Sequence, residues 1–465
     1  MSTVSRRATV SVEKPLVALE TAPIWWQTAP PHETGPRLRG AERAALVIVG
    51  GGLSGLATAY HVNRLDPDRR VVVLEAQRVG WGATGRSTGV VGPGLAMPMP
   101  RVRRKYGDAA ATEAFAASEH GVALLRDVIA REAIECDARD EPHTVGALTE
   151  AQQRRMAKHL TSLGELGFDV PWLSDAELTE LAGPGYLAGF AYRDVLLVDP
   201  YRLATGLADV LRARGVEIYE DSPVIDVDTS GRRPVVRTPS GTVTAGRLLF
   251  TIDGYAKWLN PHPRSVFAIR THVLATAPLS ESQRADLGWA GRGGVIDQRN
   301  FFNYYRMSGD GRLVFGGGPA VVPSGDPARD AVASTKVYRR LHRELSACFP
   351  VLGDVEVDAY WSGLTASSFD RLPVLGAVPG QAAVHYAGSW CGHGLSLCVD
   401  AGWRFAKSLV DDPEPGLLWE RDKAPGVPSS VLRSKGSRAY LRFLDRADRR
   451  DLRRLPAAAL ETVGR

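Results

Sequence analysis

Three glycines, Gly50, Gly52 and Gly55, followed twenty positions later by Glu75, are the residues whose types and spacing most directly imply chemistry. The first glycine suits a tight turn. The second lets backbone approach a pyrophosphate, and the third lets a helix pack close to a strand. Such a helix would face the phosphates with unpaired N–H groups and a partial positive charge, with Leu53 and Ser54 in its first turn. Glu75, with Ala76 behind it, is placed to accept hydrogen bonds from an adenosine ribose. The chemistry implied is the binding of a dinucleotide cofactor.

Holding these residues requires a strand, a turn, a helix and a second strand in that order. The apolar run Ala44 to Val49 reads as the first strand and Val71 to Leu74 as the second, with Glu75 at its end. Between them Leu53, Leu56, Ala57 and Tyr60 fall on one helical face. Further on, helices are expected over 108–131, with Phe115, Val122, Leu125 and Ile129 inward, and over 149–164. Asp199-Pro200 opens another from Tyr201 to Arg214, and Gly215 stops it. Val216 to Tyr219, Val224 to Val227 and Val243 to Thr251 read as strands. Residues 266–320 alternate like an antiparallel sheet, notably Phe301 to Met307 and Arg312 to Gly316. Val384 to Ala387 reads as a strand, followed by a glycine turn from Gly388 to Gly394 and a helix from Leu395 to Val410.

At 465 residues the chain is too long for one ordinary core, and two domains are expected. With 44% hydrophobic and 23% charged residues it has the composition of a globular protein. No apolar run is long enough for a membrane span. Ser5-Arg6-Arg7 faintly resembles an export signal, but Glu13, Lys14 and Glu20 interrupt what would follow, so the expected location is cytoplasmic. Four scattered cysteines (Cys136, Cys348, Cys391, Cys398) exclude a disulfide framework and a zinc site, and no metal is expected. Residues Arg433 to Arg465 carry ten Lys/Arg and four Asp/Glu, a net of +6. Leu441, Leu444, Leu452 and Leu455 lie at helical spacing there, so the tail is expected to dock on the body as an amphipathic helix. No nucleic-acid or membrane partner is expected.

Three blocks together resemble the D-amino-acid oxidase superfamily of flavoproteins, which includes glycine and sarcosine oxidases. They are Val47 to Gly55 with Glu75; Gly80 to Gly89, reading Gly-Trp-Gly-Ala-Thr-Gly-Arg-Ser-Thr-Gly; and Trp361-Ser-Gly363 with Asp370 to Gly376 and Ala387 to Gly394. The Trp25-Trp26 lead-in and Tyr304 to Gly317 resemble the branch of gamma-glutamylputrescine oxidoreductases. The resemblance implies FAD rather than NAD, which the glycine motif alone leaves open. It implies an α/β fold, with a Rossmann-like FAD-binding domain and an inserted, mainly antiparallel-sheet substrate domain of α+β character. The expected segments are a lead-in at 1–42, the FAD-binding domain at 43–120, 195–265 and 355–412, the substrate domain at 121–194 and 266–354, and a basic tail at 413–465.

The resemblance also implies the cofactor contacts. Beyond the first block these are Gly82, Ala83, Thr84, Arg86, Ser87, Thr88 and Gly89, then Val224, Gly254, Trp361 and Gly363, then Gly388, Cys391, Gly392, His393 and Gly394. A helix opening at Gly392 to Gly394 would aim its positive end at the flavin N1–C2=O edge and ease reduction. The cysteine that tethers flavin in sarcosine oxidases is missing ahead of Leu364 to Asp370, so FAD is expected to be non-covalent. Cys391 stands where relatives carry serine.

Departures from the pattern bear on substrate. Glycine oxidase-like members hold a carboxylate with an arginine after Trp-x-Gly; here Leu364-Thr365-Ala366 follows. Their second arginine corresponds roughly to Cys391. Losing both bidentate contacts argues against a small α-amino acid unless Arg270, Arg299 or Arg306 replaces them. In Phe301 to Arg306, alternation puts Phe301, Asn303 and Tyr305 on one face and Phe302, Tyr304 and Arg306 on the other, without saying which is core. Tyr304, Arg306, Arg312 and His393 are the candidate catalytic residues, with Arg312 where relatives carry an oxygen-activating lysine. The expectation is an FAD-dependent enzyme that oxidises a primary or secondary amine to an imine. The imine hydrolyses to an aldehyde, and oxygen or another acceptor takes the electrons. The alternatives are an amino-acid oxidase with relocated arginines and a flavin-binding protein without turnover.

Overall fold

Four consecutive buried residues, Val71–Leu74, pair in parallel with Gly40–Val49, which pairs in parallel on its other side with Gly241–Phe250. A strand apolar on both faces is stable only under cover on both sides, which a parallel sheet with flanking helices supplies. A computed structural model describes residues 20–255, 259, 262, 264–289, 291–421, 424–427 and 429–452. The sheet runs Val374–Val378, Gln381–Gly388, Gly241–Phe250, Gly40–Val49, Val71–Leu74, Glu217–Tyr219. Its Val374–Val378 edge is antiparallel. Short strands Asp226–Asp228 and Val235–Arg237 attach beside Gly241–Phe250.

Helices Leu53–Leu65, Asp108–Arg131, Pro200–Ala213 and Gly394–Ser408 share one continuous apolar core against a face of this sheet. Small residues bring them close: a Cβ on Gly402 would lie 2.8 Å from the Thr58 backbone nitrogen. The Asp199 carboxylate caps Pro200–Ala213 by accepting from the backbone nitrogens of Tyr201 and Arg202.

A second sheet runs Val357–Ser368, Val266–Thr276, Leu313–Val321, Tyr304–Met307, Gly294–Asp297, His143–Ala147, Ala188–Tyr192. All its pairs are antiparallel except Gly294–Asp297 with His143–Ala147. Helix Pro327–Cys348 covers one face, burying Tyr305, Phe315, Leu341 and Leu345. The other face turns toward the first domain and carries Trp361, Val273, Val314 and Tyr304 around Trp25.

Two expected boundaries change. Strand Val357–Ser368 belongs to the second sheet, zipped to Val266–Thr276 along its length, so the last segment of the nucleotide domain starts after it and not at 355. Helix Asp108–Arg131 packs whole into the first core, so that domain does not stop at 120. Val224 precedes its strand, which starts at Asp226. The lead-in is not wholly irregular, because Ile24–Thr28 form a short helix with Ile24 and Trp25 buried. The tail docks as expected. Helix Ser430–Leu452 places the Asp448 carboxylate on the backbone nitrogens of Asn300 and Phe301. Ser5 to Arg7, the Leu452 side chain and Leu455 lie outside the described residues. No helix among the described residues is long and apolar enough to cross a membrane.

Candidate FAD and substrate site

The turn Gly50–Gly52 is as tight as its composition implies. Gly50 has φ of 118°, and a Cβ on Gly55 would lie 2.1 Å from the Gly50 carbonyl oxygen. The helix therefore rests directly on the strand that feeds it. Among the described residues the backbone N–H groups of Gly52, Ser54 and Gly55 donate to nothing in the chain, while that of Leu53 donates to the Thr84 hydroxyl at 3.0 Å. Unpartnered donors at a helix start form an anion cradle. A Cβ on Gly52 would meet Thr84 Oγ1 at 3.1 Å, so the second block closes over this same end. Glu75 is buried and accepts from Gly51 N at 2.7 Å and Gln77 N at 2.9 Å. Burial pushes its carboxyl above the usual range, against those two donors. Each carboxylate oxygen keeps a lone pair for a ribose. Ala76 follows it, and the Ser222 backbone nitrogen donates to the Glu75 carbonyl two residues before Val224.

The block Gly80–Gly89 is pinned by the lead-in and by the second sheet. Trp25 Nε1 donates to the Ser87 carbonyl at 2.8 Å, and Trp361 Nε1 to the Arg86 carbonyl at 2.9 Å. Trp26 stacks on Trp81 at 4.6 Å, with the Arg86 guanidinium 4.6 Å from the Trp26 ring. Arg86 also donates to the carbonyls of Trp81 and Ser362, and Gly363 leaves room for its stem. Ala83 leads into the short 3-10 turn Thr84–Arg86, and Gly82 faces the Tyr255 ring. Thr88 and Gly89 follow that turn. Gly89 has φ of 72°, and a Cβ there would strike the Val198 carbonyl at 2.1 Å.

The two halves of the third block are joined by Asp253, a residue to which the sequence reading gave no role. Its half-buried carboxylate accepts from the backbone nitrogens of Ala366 and Ser389 and from the Thr365 hydroxyl. It thereby ties the glycine elbow to Val357–Ser368. The adjoining Gly254 fits because a Cβ would lie 2.7 Å from Thr365 N. An Asp-Gly pair closing a strand was the available signal. At the elbow Gly388 yields to the Tyr386 hydroxyl, Cys391 and Gly392 take φ of 54° and 93°, and His393 caps helix Gly394–Ser408. The Cys391 thiol donates to the Ser389 carbonyl, and burial raises it above its ordinary value. Burial lowers the His393 imidazole to about 4, with Arg371 adding to the effect.

The candidate catalytic residues separate. Tyr304 and Arg306 lie on the face turned to the nucleotide domain and Tyr305 on the helix-covered side, whereas Phe301 and Asn303 are buried ahead of the strand, which starts only at Tyr304. Burial raises the Tyr304 phenol, so it stays neutral. Arg306 is fully buried. Its Nη1 donates to the Gly89 carbonyl at 3.1 Å and its guanidinium lies 5.3 Å from the Trp25 ring. Burial pulls it down to about 10. It braces the flavin block from behind.

Arg312 is a correction. Residues 308–312 form the tight turn of a hairpin, and the arginine at its tip pairs with Asp310 and Asp358 and donates to the Thr276 carbonyl. Its charge is therefore already neutralised by two carboxylates, unlike the free cation expected beside the flavin.

The residues fit FAD: free amides at one helix start, an acid behind the turn, a glycine block over it and a helix N-terminus at the elbow. The family model for FAD dependent oxidoreductases matches residues 45–407. The chain belongs to this family. It is an FAD-dependent oxidoreductase related to amine and amino-acid oxidases. A probable oxidoreductase OrdL of Rhizobium meliloti (strain 1021) is 29% identical over 414 residues, covering 88% of this chain and 92% of that protein. A gamma-glutamylputrescine oxidoreductase of Escherichia coli (strain K12) is 29% identical over 372 residues, covering 79% and 84%. The solved glycine oxidase from Geobacillus kaustophilus shares the fold with a TM-score of 0.68 at 20% identity, covering 83% of this chain and all of that one.

Proposed function

We propose that this oxidoreductase acts on the C–N bond of a primary or secondary amine, giving an imine that hydrolyses to an aldehyde, with oxygen as electron acceptor and hydrogen peroxide as product. The observation that carries the reading is the loss of both anchoring positions: Leu364-Thr365-Ala366 follow Trp361-Ser-Gly363, and Cys391 stands at the elbow. Of the arginines that could replace them, Arg299 is ion-paired with buried Asp297 and Arg270 donates Nη1 to the Ser362 hydroxyl at 2.7 Å, whereas Arg306 gives only Nη1 to Gly89; its buried Nε and Nη2 have no partner, which is the one observation that favours the amino-acid oxidase alternative. A carboxylate in a dry cavity without a guanidinium partner carries a large desolvation penalty. An uncharged amine carries little.

Bound FAD supplies the two-electron acceptor. The chain supplies the rest: amides for the pyrophosphate, an elbow for the ring, and an aromatic, water-poor wall with the neutral Tyr304 hydroxyl. Such a wall favours the free-base amine, whose lone pair assists C–H cleavage. The gamma-glutamylputrescine oxidoreductase among the relatives supports an amine substrate. The free state of all four cysteines supports a cytoplasmic location.

Anaerobic mixing of the yellow holoprotein with n-butylamine, N-methylbutylamine and gamma-glutamylputrescine should bleach the flavin band. Norvaline, the α-carboxylated analogue of n-butylamine, should do so at least tenfold less effectively. Bleaching by norvaline alone would hand the site to the amino-acid oxidase reading. The cofactor is held non-covalently in this reading, because the Cys391 proton is retained and turned to Ser389. Denaturation in acid should therefore release all yellow colour from the polypeptide, and colour retained on a washed precipitate would refute it.

A further inference from the structure

The segment Gly89–Gly94 leaves the flavin block and crosses the face of the second sheet. Arg306 sits on Gly89. A Cβ on Gly92 would lie 3.8 Å from His143 Nδ1, and one on Gly94 would lie 3.9 Å from His393 Nε2. Two imidazoles from unrelated parts of the chain thus meet over one stretch of backbone. His143 starts strand His143–Ala147, and His393 stands at the elbow. Beside His143 the neighbouring strand has Gly294, so no side chain intrudes from there.

Both rings are packed in protein yet half-buried, so each keeps accessible surface that a small molecule can reach. Among the described residues His143 has no hydrogen bond to either ring nitrogen, and His393 Nδ1 is buried without a partner. Burial holds each near 4, and a charge on one further disfavours a charge on the other. At neutral pH they are therefore uncharged.

Resting on the amine reading above, we infer that His143 and His393 form the nitrogen site for a primary amine, each imidazole accepting one N–H of the substrate. A neutral primary amine has two N–H donors and one lone pair. Two acceptors take the donors and leave the lone pair free beside the C–H bond to be broken. The proton that the ammonium form must shed goes to water, since neither ring retains one at neutral pH. A secondary amine, with a single N–H, satisfies only one ring and binds more weakly.

tert-Butylamine tests this without turnover, because the carbon bearing its nitrogen has no hydrogen. Titration into the oxidised holoprotein, read from the flavin spectrum, should give saturable binding. His143→Phe should weaken it at least tenfold at unchanged flavin content. His143→Gln, whose amide oxygen still accepts, should stay within about threefold of wild type. N-methyl-tert-butylamine should bind wild type more weakly and lose less on His143→Phe. Equal tert-butylamine affinity in wild type and His143→Phe, no binding to wild type, or a Gln variant as weak as Phe would each overturn the inference. Failure of the underlying reading looks different: no primary amine would bleach wild-type flavin. If wild type is bleached and His143→Phe has the same half-saturating amine concentration, only the inference falls.

Discussion

Gly55→Ala is expected to yield a protein that purifies without flavin. The new Cβ would sit 2.1 Å from the Gly50 carbonyl oxygen, 2.9 Å from Thr251 Oγ1 and 3.1 Å from Ile48 Cγ2. The first contact is with backbone inside the tight turn, so no side chain can rotate away. Helix Leu53–Leu65 must back off the strand by about an ångström, at a cost on the order of 1–3 kcal/mol or more. The amides of Gly52, Ser54 and Gly55 move with it, and FAD stabilises only the state that binds it. We expect less than a tenth of wild-type flavin absorbance per polypeptide and a lowered melting temperature that excess FAD does not restore. Gly164→Ala is the control. Nothing lies within 4 Å of a Cβ there, inside helix Glu150–Glu165. It should keep its flavin and gain about 0.5–1 kcal/mol from helix propensity. Full flavin content in Gly55→Ala would refute the cradle.

Acid should unfold this protein well above the range where carboxylates titrate. Burial lowers His61, His143, His159, His385 and His393 from 6.5 to about 4, and His272 to about 3. These rings are neutral when folded, while the unfolded chain takes up protons below pH 6.5. The unfolded state then binds more protons, so stability falls as pH drops from about 6.5 to 4. His61 is 6% exposed and alone contributes a loss on the order of 2–4 kcal/mol by pH 4. Glu75, Asp199 and Asp253 have carboxyls raised by burial and act in the opposite direction, since they bind protons more readily folded. With Glu119 and Glu420, also raised by burial, they number five against these six histidines, so the histidines win. The urea midpoint should drop steeply between pH 7 and pH 5, and His61→Leu should flatten that slope. A midpoint unchanged at pH 5 would show that these rings protonate in the fold.

Helix Asp108–Arg131 was legible because twenty-four residues at one period leave no rival structure. Arg312 was misjudged for the opposite reason. Similarity in sequence order gave no sign of the Asp310 and Asp358 carboxylates that neutralise the arginine. Asp253 went unassigned because its partners, Ala366 and Ser389, lie more than a hundred residues downstream.

Within the chain's own order, the cofactor cradle was determined by sequence: turn, helix start and acid lie inside some thirty residues, where local spacing dictates geometry. Which face Tyr304 and Arg306 occupy was decided only by tertiary structure. Alternation along Phe301 to Arg306 defines two faces but not which one meets helix Pro327–Cys348 and which meets Trp25 and Gly89, because a strand's burial depends on what packs against it. The meeting of His143 with His393 follows from the same cause. Each ring is carried by a different element, and only the course of Gly89–Gly94 brings both beside one stretch of backbone.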